Sequence, residues 1–210
     1  MITAIILSAG QARRMGTQKV LLPFGGKTVI EHIVCAIEKG GVEEIMVVTG
    51  YEGDRVASAL QNTGAQIVFN KEYLTGMLSS VRCGIIAAED ESDAFLIVLG
   101  DQPSIRSDIV AKLINEFRIC KEKLGVILVP TFDGCRGHPI IVSRHFRDEI
   151  LDGFDDVGLR GLLAGFSHLV REIPVDQPEI LRDMDDREDY ANELDALAKA
   201  KWKENQSSQT

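Results

Sequence analysis

No apolar run in this 210-residue chain approaches the ~18 residues that a membrane-spanning helix needs. The first residues run straight into a strand-like stretch without the basic segment that opens a secretory leader. The expectation is a cytoplasmic protein with no membrane anchor. Cysteine is sparse: Cys35, Cys83, Cys120 and Cys135 lie far apart and form no CxxC pair. That removes a zinc knuckle and a thioredoxin-type centre, and fits reduced thiols. Positive charge is in deficit, 23 Lys and Arg against 32 Asp and Glu, for a net charge of −9. A nucleic-acid partner is therefore not expected, because phosphate backbones are gripped by clustered Lys and Arg.

Two nucleotide fingerprints are also missing. Gly26-Lys27-Thr28 imitates the end of a P-loop, but the earlier glycine would fall at position 21, which is Leu21. Gly10 and Gly16 are too widely spaced for GxGxxG, which disfavours an NAD(P)-binding reductase. No Ser-His-Asp or Cys-His arrangement stands out, so no covalent intermediate is expected, and His32, His145 and His168 read as structural.

What is present is enough apolar residue, 45% of the chain, for one full core without an obvious seam. The expected organisation is one domain over residues 1–198 and a polar tail over 199–210. Apolar β-rich runs recur at Thr3–Ser8, Glu44–Thr49, Gln66–Phe69, Ala94–Leu99 and Gly125–Val129. Helical spacing lies between them, at Ile30, Ile33, Val34 and Ile37 and again at Ile109, Leu113 and Phe117. Thr28 with Glu31 forms a capping box for the first of these helices, and Gly40-Gly41 is its expected stop. Alternating helices and doubly covered strands predict parallel β-α-β units, which bind ligands at the carboxyl ends of their strands. After a turn-rich stretch from Pro130 to Pro139, the pattern predicts a short strand at 140–142. A helix at 159–164, a strand at 168–175 and a closing helix at 186–200 follow.

The most informative segment is Leu7 to Lys19, directly after the first strand. It offers backbone amides at glycine together with Arg13, Arg14 and Lys19, against the overall negative sign. A triphosphate needs such a surface, although a charged surface turn has the same composition. After the fourth strand, Leu99-Gly100-Asp101-Gln102-Pro103 supplies a carboxylate where a metal could sit. Asp101 competes there with a turn or cap role, beside the rival caps Ser104 and Ser107. Asp185, in Arg182-Asp183-Met184-Asp185-Asp186, would complete a pair for Mg2+, a hard cation that prefers oxygen. The acidic run 183–189 equally suits a helix start. Thr75 to Gly84 opens a helix with small hydroxyl residues that could read a base edge or merely cap it. Arg136-Gly137-His138-Pro139 places a histidine before a proline.

In this order, the pieces resemble the MobA-like nucleotidyltransferases, from Ile5 to Tyr190. The opening L-x-A-G-x-x-x-R-M-G-x-x-K is met by Leu7, Ala9, Gly10, Arg14, Met15, Gly16 and Lys19. G-M-S-S-S-L appears as Gly76 to Val81 with Leu78 in place of a serine. G-D-Q-P and R-G-H-P are intact at 100–103 and 136–139. G-D-x-G-x-R survives as Asp155 to Arg160 without its first glycine, and D-x-D-T-P-E-D-Y as Asp183 to Tyr190 without Thr and Pro. The resemblance implies a single Rossmann-like three-layer α/β domain with a mostly parallel, mixed sheet, of the nucleotide-diphospho-sugar transferase type. It implies Mg2+-dependent transfer of CMP from CTP to the phosphate of molybdenum cofactor, with loss of pyrophosphate. Arg14, Lys19 and Asp101 would be catalytic, and Leu7, Ala9, Gly10, Gly16, Gly76, Ser79 and Ser80 would bind nucleotide. Asp101 and Asp185 would hold the metal, and His138 and Arg160 would meet the acceptor. A guanylyltransferase using GTP, or a non-catalytic accessory protein delivering cofactor to a molybdenum hydroxylase apo-enzyme, remains open at this point.

Overall fold

In the computed structural model, which describes residues 1–11, 15–120 and 125–207, strand β1 (Ile2–Ser8) is buried on both faces. Its residues alternate between two cores because successive side chains of a strand point to opposite sides. Ala4 and Ile6 join Ile33, Val34 and Ile37 of helix α1 (Val29–Lys39). Ile5 instead meets Val81 and Ile85 of a helix on the opposite face. That alternation makes three layers. A hairpin, β2 (Pro23–Phe24) and β3 (Lys27–Thr28), leads into α1, whose capping box forms as expected. Thr28 Oγ1 accepts from the Glu31 amide at 3.3 Å, and a Glu31 carboxylate oxygen accepts from the Thr28 amide at 2.8 Å.

The chain continues through β4 (Glu44–Thr49), α2 (Gly53–Ala59) and β5 (Gln66–Phe69), then α3 (Met77–Ala87) and β6 (Ala94–Leu99). Helix α4 (Ser107–Ile119) precedes β7 (Ile127–Phe132), β8 (Cys135–Arg136) and β9 (Ile140–Ser143). Helices α5 (Arg147–Asp152) and α6 (Leu159–Gly165), strand β10 (Val170–Pro174) and helix α7 (Arg187–Ser207) complete it. The main sheet has the order β10-β7-β9-β6-β1-β4-β5, with β8 pairing β7. β9 runs antiparallel to both of its neighbours, and β1 is parallel to β4 and to β6. The sheet is therefore mixed and mostly parallel, as expected. The first core packs under α1 and α4, and the second under α3, α5 and α6.

Strand order decides where a ligand can enter. From β1 the chain steps outward to β4 and β5, then returns to β6 on the other side of β1. The loops after β1 and β6 diverge at this reversal and leave a crevice at the strands' carboxyl ends.

Three departures from the sequence expectation have local causes. β7 passes through Pro130 to Phe132 instead of ending at Val129. Pro130 falls between two ladders, after pairing with β9 ends at Leu128 and before pairing with β8 begins at Thr131, so its missing N–H breaks neither. α2 has seven residues and one buried apolar side chain, Val56, too little for a helical period to show. α7 continues past residue 200, where the pattern ended it, to Ser207, through residues 201–207 that hold neither glycine nor proline to stop a helix.

Gly84 lets α3 lie against β1. A methyl there would stand 2.4 Å from Ile5 Cγ2. Overpacking costs about 1–3 kcal/mol, against about 1 kcal/mol gained by replacing glycine in a helix. Gly84→Ala should therefore lower the urea midpoint, and an unchanged or raised midpoint would contradict this packing.

Candidate active site

The crevice between the β1 and β6 loops is a cleft of about 490 Å3. Leu7, Ala9, Gly10, Lys19, Gly76, Ser80, Asp101 and Asp185, all expected on sequence grounds, line it. Its floor depends on a close approach. The Gly100 amide donates to Leu7 O at 3.0 Å, and any Cβ on Gly100 would lie 2.6 Å from that oxygen and from Ser8 Oγ. Only glycine lets the two strand ends meet there.

Lys19 opens a short 3-10 turn whose next residue, Val20, is plugged into the first core. Gln18 secures the turn from the other side. Its Nε2 donates to Tyr51 O at 2.8 Å and to Gly10 O at 3.2 Å. So mounted, Lys19 extends into the cleft, where its Nζ meets Asp101 Oδ2 at 2.7 Å and Asp185 Oδ1 at 3.1 Å. Burial works against the Lys19 charge, but Asp101 by charge and hydrogen bond, with Asp185 adding to it, holds the ammonium above its ordinary value.

The acidic run divides its labour. Asp186 caps α7, accepting from the Glu188 and Asp189 amides at 2.9 and 3.0 Å. Asp189 accepts in return from the Asp185 and Asp186 amides. Those two carboxylates are structural, while Asp185 faces the cleft. Asp101 is not a helix cap, since α4 begins after Arg106 without a side-chain cap and the Asp101 carboxylate pairs with Lys19 instead. Two carboxylates thus converge on one position, which the Lys19 ammonium holds. Mg2+ is commonly held by one or two carboxylates together with substrate phosphates, so this donor set fits it. Among the described residues no group of three His, Cys, Asp or Glu side chains gathers for a metal.

The remaining candidates are placed less directly. Ser80 Oγ, buried, accepts from Asn70 Nδ2 at 3.0 Å. Ser79 does not line the cleft. Its hydroxyl donates to Gly76 O and Glu72 O and so holds the turn before α3. Gly16 stands outside the lining, and Arg160 is exposed on α6, away from it. Arg13 and Arg14 lie outside the described residues. Tyr73, Leu74 and Met77 form an apolar wall that the sequence reading missed. Gln18 and Gln102 were missed too, because their partners are remote in sequence.

His138 is half-buried behind the carboxylates, its amide donating to Ile180 O at 3.0 Å. Burial lowers its pKa, against the opposing pull of Asp183 and Asp101. Asp183 is raised by burial, with Asp101 and Asp185 acting in the same direction against a hydrogen bond from Gln102.

The fold and the cleft define a nucleotide-handling α/β enzyme with a cationic group set between acidic ones. The model of the MobA-like NTP transferase domain matches residues 4–173, and the chain belongs to that family. It is a nucleotidyltransferase of the MobA type. It is 28% identical to molybdenum cofactor cytidylyltransferase of Escherichia coli strain K12, over 90% of this chain and 93% of that one. It is equally 28% identical to nicotine blue oxidoreductase of Paenarthrobacter nicotinovorans, over 88% and 92%. The structure of Rv0371c from Mycobacterium tuberculosis H37Rv in complex with manganese superposes with a TM-score of 0.73 at 25% identity, over 92% and 97%. No helix among the described residues is long and apolar enough to cross a membrane.

A depressed folded-state pKa favours neutral His138. The stability it contributes is complete above the ordinary value of 6.5 and is lost as pH falls through the folded value. An NMR titration should place His138 below 6.5, and Asp183→Asn, by removing an opposing charge, should move it lower still. A midpoint above 6.5, or an upward move in the variant, would contradict this environment.

Proposed function

We propose that this protein transfers CMP from CTP to the terminal phosphate of molybdenum cofactor, releasing pyrophosphate, with Mg2+ as cofactor. The observation that carries the proposal is Lys19 set between Asp101 and Asp185 at the switch point of the sheet. The full-length likeness to the Escherichia coli cytidylyltransferase supports the choice of nucleotide and acceptor.

The reaction forms one P–O bond, from an acceptor phosphate oxygen to the α-phosphorus, and breaks the bond from that phosphorus to the β-phosphate. It asks the protein for position and charge neutralisation more than for covalent chemistry. Gly10, with Leu7 and Ala9 beside it, offers close backbone approach to the nucleotide, and Gly16 shapes the same loop. Lys19 and Arg14 neutralise oxygens of the departing pyrophosphate. Asp101 and Asp185 would hold Mg2+, which when bound would draw charge from phosphate oxygens and so favour attack at the α-phosphorus. Two carboxylates would repel a triphosphate, and a divalent cation held between them would offset that repulsion alongside Lys19 and Arg14. Gly76 and Ser80 face the base and ribose, with Ser79 fixing their turn. His138 belongs to the acceptor side, whereas Arg160, exposed on α6, is given no part in the reaction. The expected hydroxylase apo-enzyme finds no support in the fold or among the relatives, so the partners proposed are the two substrates.

The test is pyrophosphate release with each NTP, with and without molybdenum cofactor, in Mg2+. CTP with the cofactor should be turned over. Preference for GTP would replace the base assignment, and cofactor binding without release would indicate an accessory role. The Paenarthrobacter relative, an oxidoreductase by name, supplies a further arm, turnover of nicotine blue, for which no activity is expected. Lys19→Ala should lower turnover about 10²-fold, the scale of a lost electrostatic stabiliser. Near-normal turnover would remove Lys19 from the chemistry.

A further inference from the structure

Asp183-Met184-Asp185 links the 3-10 turn Pro178–Leu181 to α7 and brings Asp185 to the cleft. Met184 is fully buried, and its neighbours on either side are exposed carboxylates, as alternation along an extended chain requires. The segment and the turn before it are docked at three points. The Met184 amide donates to Asp101 O at 2.9 Å, Ile180 O accepts from the His138 amide at 3.0 Å, and Gln102 supplies the third. Gln102 is 3% exposed, and its Nε2 donates to Asp183 Oδ1 at 2.8 Å and to Ile180 O at 3.4 Å.

We infer that Gln102 is a positioning residue, whose amide clasps Asp183 and thereby sets Asp185 opposite Asp101. The inference deepens the reading that those two aspartates hold a divalent cation, and it rests on that reading. The chemistry of the residue type explains the choice. Both groups facing Gln102 Nε2 are acceptors, so a donor is required. A lysine or arginine would donate but would add a positive charge beside a cation site. A glutamate would add a further carboxylate to Asp101, Asp183 and Asp185. Asparagine is one methylene shorter than the reach that the 2.8 Å bond spans. A glutamine donates without charge. It also acts on Asp185 only through the backbone, since Asp183 and Asp185 are joined across the anchored Met184.

The experiment titrates the whole protein with Mn2+ alone, read by the loss of free-ion signal in electron paramagnetic resonance, with thermal unfolding of each variant in parallel. Asp183→Ala and Gln102→Glu should each raise half-saturation about tenfold or more, the usual cost of losing a group that orients a metal ligand. The double variant Gln102→Glu/Asp183→Asn reverses donor and acceptor across the 2.8 Å contact while leaving Ile180 O without its 3.4 Å donor, and should recover most of the Mn2+ binding lost in Gln102→Glu. Asp183 is exposed, so the alanine variant decides the matter even if Gln102→Glu does not fold. Unaltered Mn2+ binding in Asp183→Ala, or a folded double variant as weak as Gln102→Glu, overturns the inference while leaving the metal pair standing. Unaltered binding in Asp101→Asn overturns the metal pair itself and the clasp with it.

Discussion

The contact on which this protein's chemistry depends is the ammonium of Lys19 lodged between the carboxylates of Asp101 and Asp185. The three residues come from the loop after β1, the loop after β6 and the approach to α7, separated by 82 and 166 positions from the lysine. Nothing local brings them together. The reversal of strand order at β1 opens a crevice there, and the two strand ends approach closely because Gly100 carries no side chain. Charge then does the rest: two carboxylates side by side are costly without a cation between them, and in the free protein the lysine supplies it.

The three groups share a way of being held. Lys19 precedes the buried Val20, Asp185 follows the buried Met184, and Asp101 precedes the buried Gln102. Each functional side chain thus sits next to one locked in the interior, which limits the backbone motion available to it. Helix α7 adds a brace. Its buried Glu193 accepts from Ser104 in the β6 loop and pairs with Arg182, and Tyr190 donates to Pro23 O at 2.5 Å in the hairpin beyond Lys19. In the proposed reaction Lys19 is a resident cation that exchanges partners when substrate arrives, giving up the carboxylates to a metal and taking phosphate oxygens instead.

Much of this was legible in the residues. Doubly buried strands read as continuous apolar runs, and β1, β4 and β6 fall where those runs fall, whereas β5 also falls on its run but stands at the sheet edge with Ile67 and Phe69 exposed. The loops after β1 and β6 could be singled out because glycine, charge and strand end coincide. Less was legible where function depends on a partner far along the chain. The acidic run could not be divided into capping and cleft-facing members, because the cap geometry of Asp186 and Asp189 appears only once α7 has formed. Ser79 and Ser80 are chemically alike, and only the turn before α3 commits one to Gly76 O and leaves the other in the cleft. Gln18 and Gln102 look like ordinary polar residues until their acceptors, Tyr51 O and Asp183, arrive from elsewhere. Arg160, placed by motif alone, stands on the exposed side of α6.

Crystals grown with Mn2+ and a non-hydrolysable CTP analogue test the exchange most directly, because anomalous scattering locates the metal without assumption. One Mn2+ bound by both Asp101 and Asp185 is expected, with Lys19 Nζ moved from those carboxylates onto the β- or γ-phosphate. Lys19 still paired with both aspartates in the nucleotide complex, or manganese bound elsewhere, would contradict the exchange.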